Sequence, residues 1–296
     1  MKHITVLKEE TVSALALTKD AVVVDCTIGS GGHSSEILKH LGENGRLVGI
    51  DADATAIHAL IPMAADPRVT LMVGNFRAIG RLLADAHIEA VDAIVADLGW
   101  RMEQFNGESG LPRGFSFTHE EPLSMTFGSP ESYAFTAFDI VNDWQEEDIA
   151  NVIYAYGEER YSRRIARRIV DARAKRPIET STQLAAIVAE AVPKVPGKKT
   201  HPATKTFQAL RIAVNDELDA LRELILGGFE SLKPHGRMAI ITFHSLEDRI
   251  VKETFRTFAR DHVAVIVNKK PITAQKEAIA ENPRARSAKL RIMEKL

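Results

Sequence analysis

Residues 21–57 read AVVVDCTIGSGGHSSEILKHLGENGRLVGIDADATAI, and the punctuation of this stretch decides the fold. Ala21–Val24 is a short β-branched run without polar alternation, the pattern of a strand buried on both faces. It runs into Asp25 and a glycine-rich turn, Gly29-x-Gly31-Gly32. A helical pattern, Ser34–Leu41, follows, and a second apolar run, Leu47–Ile50, ends in Asp51. Strand, turn, helix and strand in this order make a βαβ unit, whose two strands are parallel. The rhythm continues outward. Helical patterns at Ala54–Met63 and Arg77–Ala86 alternate with apolar runs at Val69–Val73 and Val91–Ala96. All four runs read as strands buried on both faces. The expected class is α/β, a Rossmann-like, doubly wound and mostly parallel sheet.

After Leu98 the rhythm stops. Residues from about 99 to 130 carry Gly, Pro, Phe and both signs of charge, as loops do. Helices are expected over about Phe138–Tyr156, Glu158–Lys175 and Thr182–Ala191, then comes the segment PKVPGKKTHP (193–202). A long helix from about Thr204 to Leu232 and strands at Arg237–Phe243, Val263–Val267 and Lys289–Met293 finish the chain. The economical division is a sheet domain, 1–103 with 201–296, and a helical insert, 104–200.

Bulk properties narrow the classes of function. The 296 residues are 45% hydrophobic and 26% charged, which excludes a disordered or fibrous chain. A net charge of −2 means that any grip on a polyanion uses local patches. Cys26 is the single cysteine. It reads as a small buried hydrophobe, and the absence of any possible intramolecular disulfide suits a reducing cytoplasm. No stretch approaches the ~18 apolar residues of a membrane span, and no membrane partner is expected.

The strand ends carry the chemistry. A glycine turn between a buried strand and a helix lets backbone approach a ligand and aims helix N–H groups at it. The spacing differs from the G-x-G-x-x-G of dinucleotide enzymes. Asp51 is placed to accept from both ribose hydroxyls of an adenosine. Asn75 and Phe76, after the third strand, could flank an adenine, and the fourth strand ends in ADLGW (96–100). Each polar residue alone reads equally well as a helix cap or turn former; four together favour a site. Several acids and no basic run fit a cationic sulfonium cofactor better than NAD.

From end to end the chain resembles the RsmH/MraW family of ribosomal small-subunit RNA (cytosine-N4)-methyltransferases. The resemblance rests on HITVLKEE (3–10), DCTIGSGGHS (25–34), IDADATAI (50–57), RGFSF (113–117), GEER (157–160), HPATKTFQALRIAVNDEL (201–218), TFHSLEDRIVK (242–252) and NPRARSAKLR (282–291). It implies N4-methylation of a cytidine in 16S rRNA, with S-adenosyl-L-methionine as cofactor and the small ribosomal subunit as partner. It also implies cofactor contacts at Gly31, Gly32, His33, Asp51, Phe76, Asp97 and Gln104, and an insert that recognises substrate. A homodimer is admitted. The sequence departs from the family pattern at DLGWRMEQ (97–104) and PLSMTF (122–127), where Ser124 and Thr126 replace Asp and Arg. These departures leave two other readings open: a diverged enzyme acting on another RNA site, and a non-catalytic cofactor-binding assembly factor.

The catalytic expectation falls on Asp97 and Trp100, because DLGW resembles the D-P-P-W turn of amino-methyltransferases. Asp97 would face the amine or cofactor. Trp100 either stacks on the base or packs on the insert. Arg113 and Phe115 are expected near the target base. Arg160, Arg164, Arg167 and Arg168 share one helix face, either solvated or bound to RNA. Lys205, Arg211 and Asn215 complete the expected RNA contacts. His244 is open to two roles, substrate contact or helix start, with Ser245 capping and Asp248 reaching back.

Overall fold

The computed structural model describes residues 4–99, 112–193 and 200–296. The chain divides into two compact units, 1–99 with 218–296 and 100–217.

In the first unit the four expected strands form as β1 (Val22–Asp25), β2 (Arg46–Asp51), β3 (Val69–Val73) and β4 (Val91–Asp97). β5 (Leu232–Thr242), β6 (Ala264–Ile266) and β7 (Lys289–Lys295) complete a seven-stranded sheet of order β3-β2-β1-β4-β5-β7-β6. Strands β1 to β5 pair in parallel, and β7 is antiparallel to both β5 and β6. This is a Rossmann-like, doubly wound sheet with one reversed strand. From β1 the chain winds outward to β2 and β3, and then returns to place β4 on the other side. The strand order therefore reverses at β1/β4, where open α/β sheets hold ligands beyond their carboxyl ends.

Both faces of the central strands are covered, which explains their unbroken apolar runs. Val24, Val48, Ile94 and Ile240 join one cluster with α4 (Ile79–Asp85), α10 (Glu217–Ser231) and α11 (Ser245–Arg260). Their chain neighbours Val23, Leu47, Val95 and Ile241 face the opposite cluster with α1 (Lys8–Ala14) and α2 (Gly32–His40). Each fully buried Leu, Ile or Val contributes roughly 1.5–3 kcal/mol, so the sheet's stability rests on this two-sided burial. β3 is the exception to the expected pattern. It lies at the sheet edge, and Val73 is 53% exposed.

The second unit packs α5 (Ala137–Asp143), α6 (Glu146–Gly157), α7 (Ser162–Arg173), α8 (Ser181–Ala191) and α9 (Thr204–Asn215) around a core of its own. The helix expected over Phe138–Tyr156 is broken at Trp144 and Gln145, both extended. Arg173 donates to the Val141 and Trp144 carbonyls, giving the end of α5 the partners that a continuing helix would have supplied. Glu158 is left-handed, which delays α7 to Ser162.

The long helix expected from Thr204 to Leu232 is also two helices, broken at Asp216 with φ 48°. Phe207, Leu210 and Val214 of α9 enter the helical core, whereas Leu221, Leu224 and Ile225 of α10 enter the sheet core. The compact units therefore separate near residue 217, and α9 belongs with the helices rather than with the sheet from 201 onward.

Candidate functional site

Three aspartates end three neighbouring strands of the first unit: Asp51 on β2, Asp25 on β1 and Asp97 on β4. Asp25 is buried. Ser34 Oγ donates to its Oδ2 at 2.7 Å and the Thr27 N–H to its Oδ1 at 3.2 Å. Burial pushes its carboxyl up to about 6, against those two bonds and with help from the charge of Asp51.

The turn beyond β1 needs its glycines. Gly29 and Gly31 have φ of 52° and 79°, the left-handed region that side chains avoid. A methyl group at Gly31 would also come within 2.7 Å of Met63 Cε, and one at Gly32 within 1.8 Å of Thr5 Oγ1. Backbone conformation at Gly31 and close packing at Gly32 thus favour glycine at these two positions.

Asp51 accepts from the Gly29 N–H through Oδ2 (3.0 Å) and from the Asp53 N–H through Oδ1 (2.8 Å). It thereby ties the β2 turn to the β1 turn, a role that spacing alone did not show. These bonds orient its carboxylate. Asp53 and Asn75 behave as caps: Asp53 accepts from the Thr55 N–H and Asn75 from the Arg77 N–H, at 3.0 Å each. Phe76 is half-buried against the sheet core.

The Asp97 N–H donates to Thr27 Oγ1 at 2.7 Å, fastening the end of β4 to the β1 turn. Its Oδ2 lies 4.0 Å from Nδ1 of the buried His33. His33 Nε2 is 3.2 Å from the Val6 carbonyl. A carbonyl only accepts, so Nε2 carries a proton. The N-terminal segment thus orients the ring at the head of α2. Trp100 and Gln104 lie outside the described residues.

After β5 the expected cap is displaced by one residue. His244 is the N-cap of α11, its Nδ1 accepting from the Glu247 N–H, and Glu247 reaches back to the His244 N–H. Ser245 is the first helical residue, not the cap. Asp248 instead holds Lys289 (2.9 Å) and Arg291 (2.6 Å) of β7. Burial raises its carboxyl, but the bonds from Arg291 and Lys289 outweigh that and keep it below the usual range.

Within the second unit, several expected RNA contacts point inward. Arg113 is 5% exposed and donates to the Thr126 and Phe127 carbonyls. Phe115 is a core residue stacked on Phe127. Arg211 forks onto Glu217 at 2.7 and 2.8 Å, and both side chains are largely buried. Asn215 accepts from the Phe127 N–H (2.8 Å) and donates to the Met125 and Arg211 carbonyls (2.7 and 2.9 Å). All four are engaged within this unit, Arg113 and Asn215 with backbone groups, Arg211 with a carboxylate and Phe115 with the core.

The divergent residues belong to the same network. Ser124 Oγ donates to the Arg113 carbonyl and Thr126 Oγ1 to the Gly128 carbonyl. Lys205 is exposed but donates to the Glu158 carbonyl at 2.6 Å. The arginine helix is different. Arg163, Arg164, Arg167 and Arg168 of α7 are exposed, while Ile165, Ala166 and Ile169 are buried between them.

A family model described as the MraW methylase family matches residues 1–296. The chain is 43% identical over 314 residues to a ribosomal RNA small subunit methyltransferase H of Brevibacillus brevis, covering 99% of this chain and 98% of the relative. It is 44% identical over 315 residues to the protein of that name from Symbiobacterium thermophilum, covering 99% and 96%. A Clostridium botulinum protein of the same name is 42% identical over 311 residues, covering 100% and 99%.

Proposed function

The chain belongs to the MraW methylase family, and from that premise we propose that it transfers the methyl group of S-adenosyl-L-methionine to the N4 amine of a cytidine in 16S rRNA of the small ribosomal subunit. The observation that carries this reading is the trio of aspartates on adjacent strand ends at the β1/β4 reversal, beside a left-handed glycine turn. No Lys or Arg stands in the turns 26–33 or 52–54. That surface suits a sulfonium cation and not a pyrophosphate.

The residues present fit the cofactor. Asp51, already oriented by two backbone N–H groups, takes the ribose hydroxyls. The turn at Gly31, Gly32 and His33 takes the amino-acid end, and Phe76 and Gln104 complete the contacts. When bound, the sulfonium supplies an electrophilic methyl group. The protein's part is to hold the amine in line with that methyl, to accept hydrogen bonds from its N–H groups as its lone pair leaves the ring, and to take the one proton that methylation releases. Asp97, at the end of β4, is the acceptor we assign, with Trp100 stacking on the base. Arg164, Arg167 and Arg168 hold phosphates of the RNA. Arg113, Phe115, Arg211 and Asn215 act by shaping the insert.

The test is incubation of the protein and labelled S-adenosylmethionine with small ribosomal subunits lacking modification, followed by nucleoside analysis. Labelled N4-methylcytidine is expected. Label on another nucleoside would refute the assigned target. Cofactor binding without any labelled nucleoside would refute the enzyme.

A further inference from the structure

Two motif residues to which the proposed function gives no part meet within the second unit. Phe117, the last residue of RGFSF, stacks on His201, the first of the HPATKTF run, with ring centroids 4.6 Å apart and planes at 19°. Phe207 closes on Phe117 edge-on at 5.4 Å. Phe117 is half-buried against the helical core, whereas His201 is exposed. The Ala203 N–H donates to His201 Nδ1 at 3.2 Å. The neutral ring therefore carries its proton on Nε2, which has no partner among the described residues. A flat ring is thus fixed at the surface on an aromatic support, with one donor to spare.

Cations follow along the chain from this corner. Lys205 donates to the Glu158 carbonyl and Gln208 to the Tyr156 carbonyl, so the start of α9 lies against the end of α6. Two residues past Glu158, the Arg160 guanidinium lies 4.7 Å over the Tyr161 ring. α7 then begins, with Arg163, Arg164, Arg167 and Arg168 exposed and in no ion pair among the described residues. Of the neighbouring acids, Glu159 is buried and accepts from the Tyr161 N–H.

We infer that this corner is a platform for an unpaired stretch of RNA, with a base stacked on the His201 ring and phosphates on the arginine face of α7. Aromatic rings interleaved with cations are how single strands are held, because only unpaired bases offer a free face. The inference rests on the proposed RNA substrate and adds where the strand is gripped.

The test is fluorescence anisotropy of a labelled pyrimidine-rich RNA of about ten nucleotides, a usual length for a single-strand site, against a duplex of equal length. The single strand should bind more tightly. His201→Ala should weaken it roughly tenfold or more, while His201→Tyr should retain binding. Arg163→Ala with Arg164→Ala should flatten the dependence of log affinity on log salt by about 0.7 per lost contact. Equal affinity for duplex, or unchanged binding by His201→Ala, overturns the platform. So does His201→Tyr binding as poorly as His201→Ala with an unchanged melting temperature. If the platform results hold while no cytidine is methylated in small subunits, the platform stands and the assigned reaction falls. If His201→Ala methylates and binds as the parent protein does, the reverse follows.

Discussion

Replacing Asp25 with Asn should make the protein more stable and its cofactor discrimination worse. The carboxyl of Asp25 is buried and titrates near 6 rather than 3.8. An acid whose folded value is raised binds more protons in the folded state, so this group costs stability as pH rises. The cost is near zero below pH ~4 and grows between about 4 and 6. It is complete above that, at ~3 kcal/mol from ~1.4 kcal/mol per pH unit. Asn keeps an oxygen for the Thr27 N–H and an amide for Ser34, so it removes the charge at little cost in geometry.

Denaturant melts at pH 4 and pH 8 should show Asp25→Asn close to the parent at the lower pH and up to ~3 kcal/mol more stable at the higher. Under the proposed function this charge acts on a sulfonium, so calorimetry should show the variant losing affinity for S-adenosylmethionine more than for S-adenosylhomocysteine, which lacks the sulfonium charge. A variant no more stable at pH 8 than at pH 4, relative to the parent, would refute the buried-charge argument. Equal losses for the two ligands would refute its electrostatic role.

Asp51→Ala should weaken cofactor binding by ~1–3 kcal/mol, and Asp51→Asn by less, because it keeps one oxygen for the turn; equal calorimetric affinities across the three proteins would remove Asp51 from the site. Arg164, Arg167 and Arg168 replaced together by Ala should weaken RNA binding and lower its salt slope while leaving cofactor affinity unchanged. An unaltered slope would make the exposed face of α7 only a solvated one. Asn215→Ala should destabilise the helical unit by ~2–4 kcal/mol, since the Met125 carbonyl and the Phe127 N–H lose a buried partner. A melt indistinguishable from the parent's would return Asn215 to the surface.

The core of the sheet was legible because burial on two faces leaves a local mark. β1, β2 and β4 read as apolar runs, each closed by an aspartate, and the glycine turn could be placed between two of them without coordinates. The same pattern misread β3, because an edge strand still carries Val69, Leu71 and Val73 although one side lacks a neighbour. The helix breaks at Trp144 and Asp216 left no usable signal. Each interrupts an apolar stripe that continues on either side, and the choice of core for each half depends on what it meets in space.

The candidate site residues divide in the same way. Asp25, Asp51 and Asp97 follow from strand ends, which are local. That Asp51 is held by Gly29, Asp97 by Thr27, and His33 by Val6 depends on contacts between segments far apart in the chain. In the insert, Arg113 and Arg164 are both arginines of family motifs or basic runs, yet one donates to the Thr126 and Phe127 carbonyls and the other is exposed. Sequence by itself determined the mostly parallel α/β sheet, the family and the strand ends that carry the candidate site, because hydrophobic period and motif order are properties of the chain. Which polar residues are spent on folding was decided only by the tertiary structure, because a buried carbonyl or N–H must find a partner and the chain alone does not say which side chain will be near it.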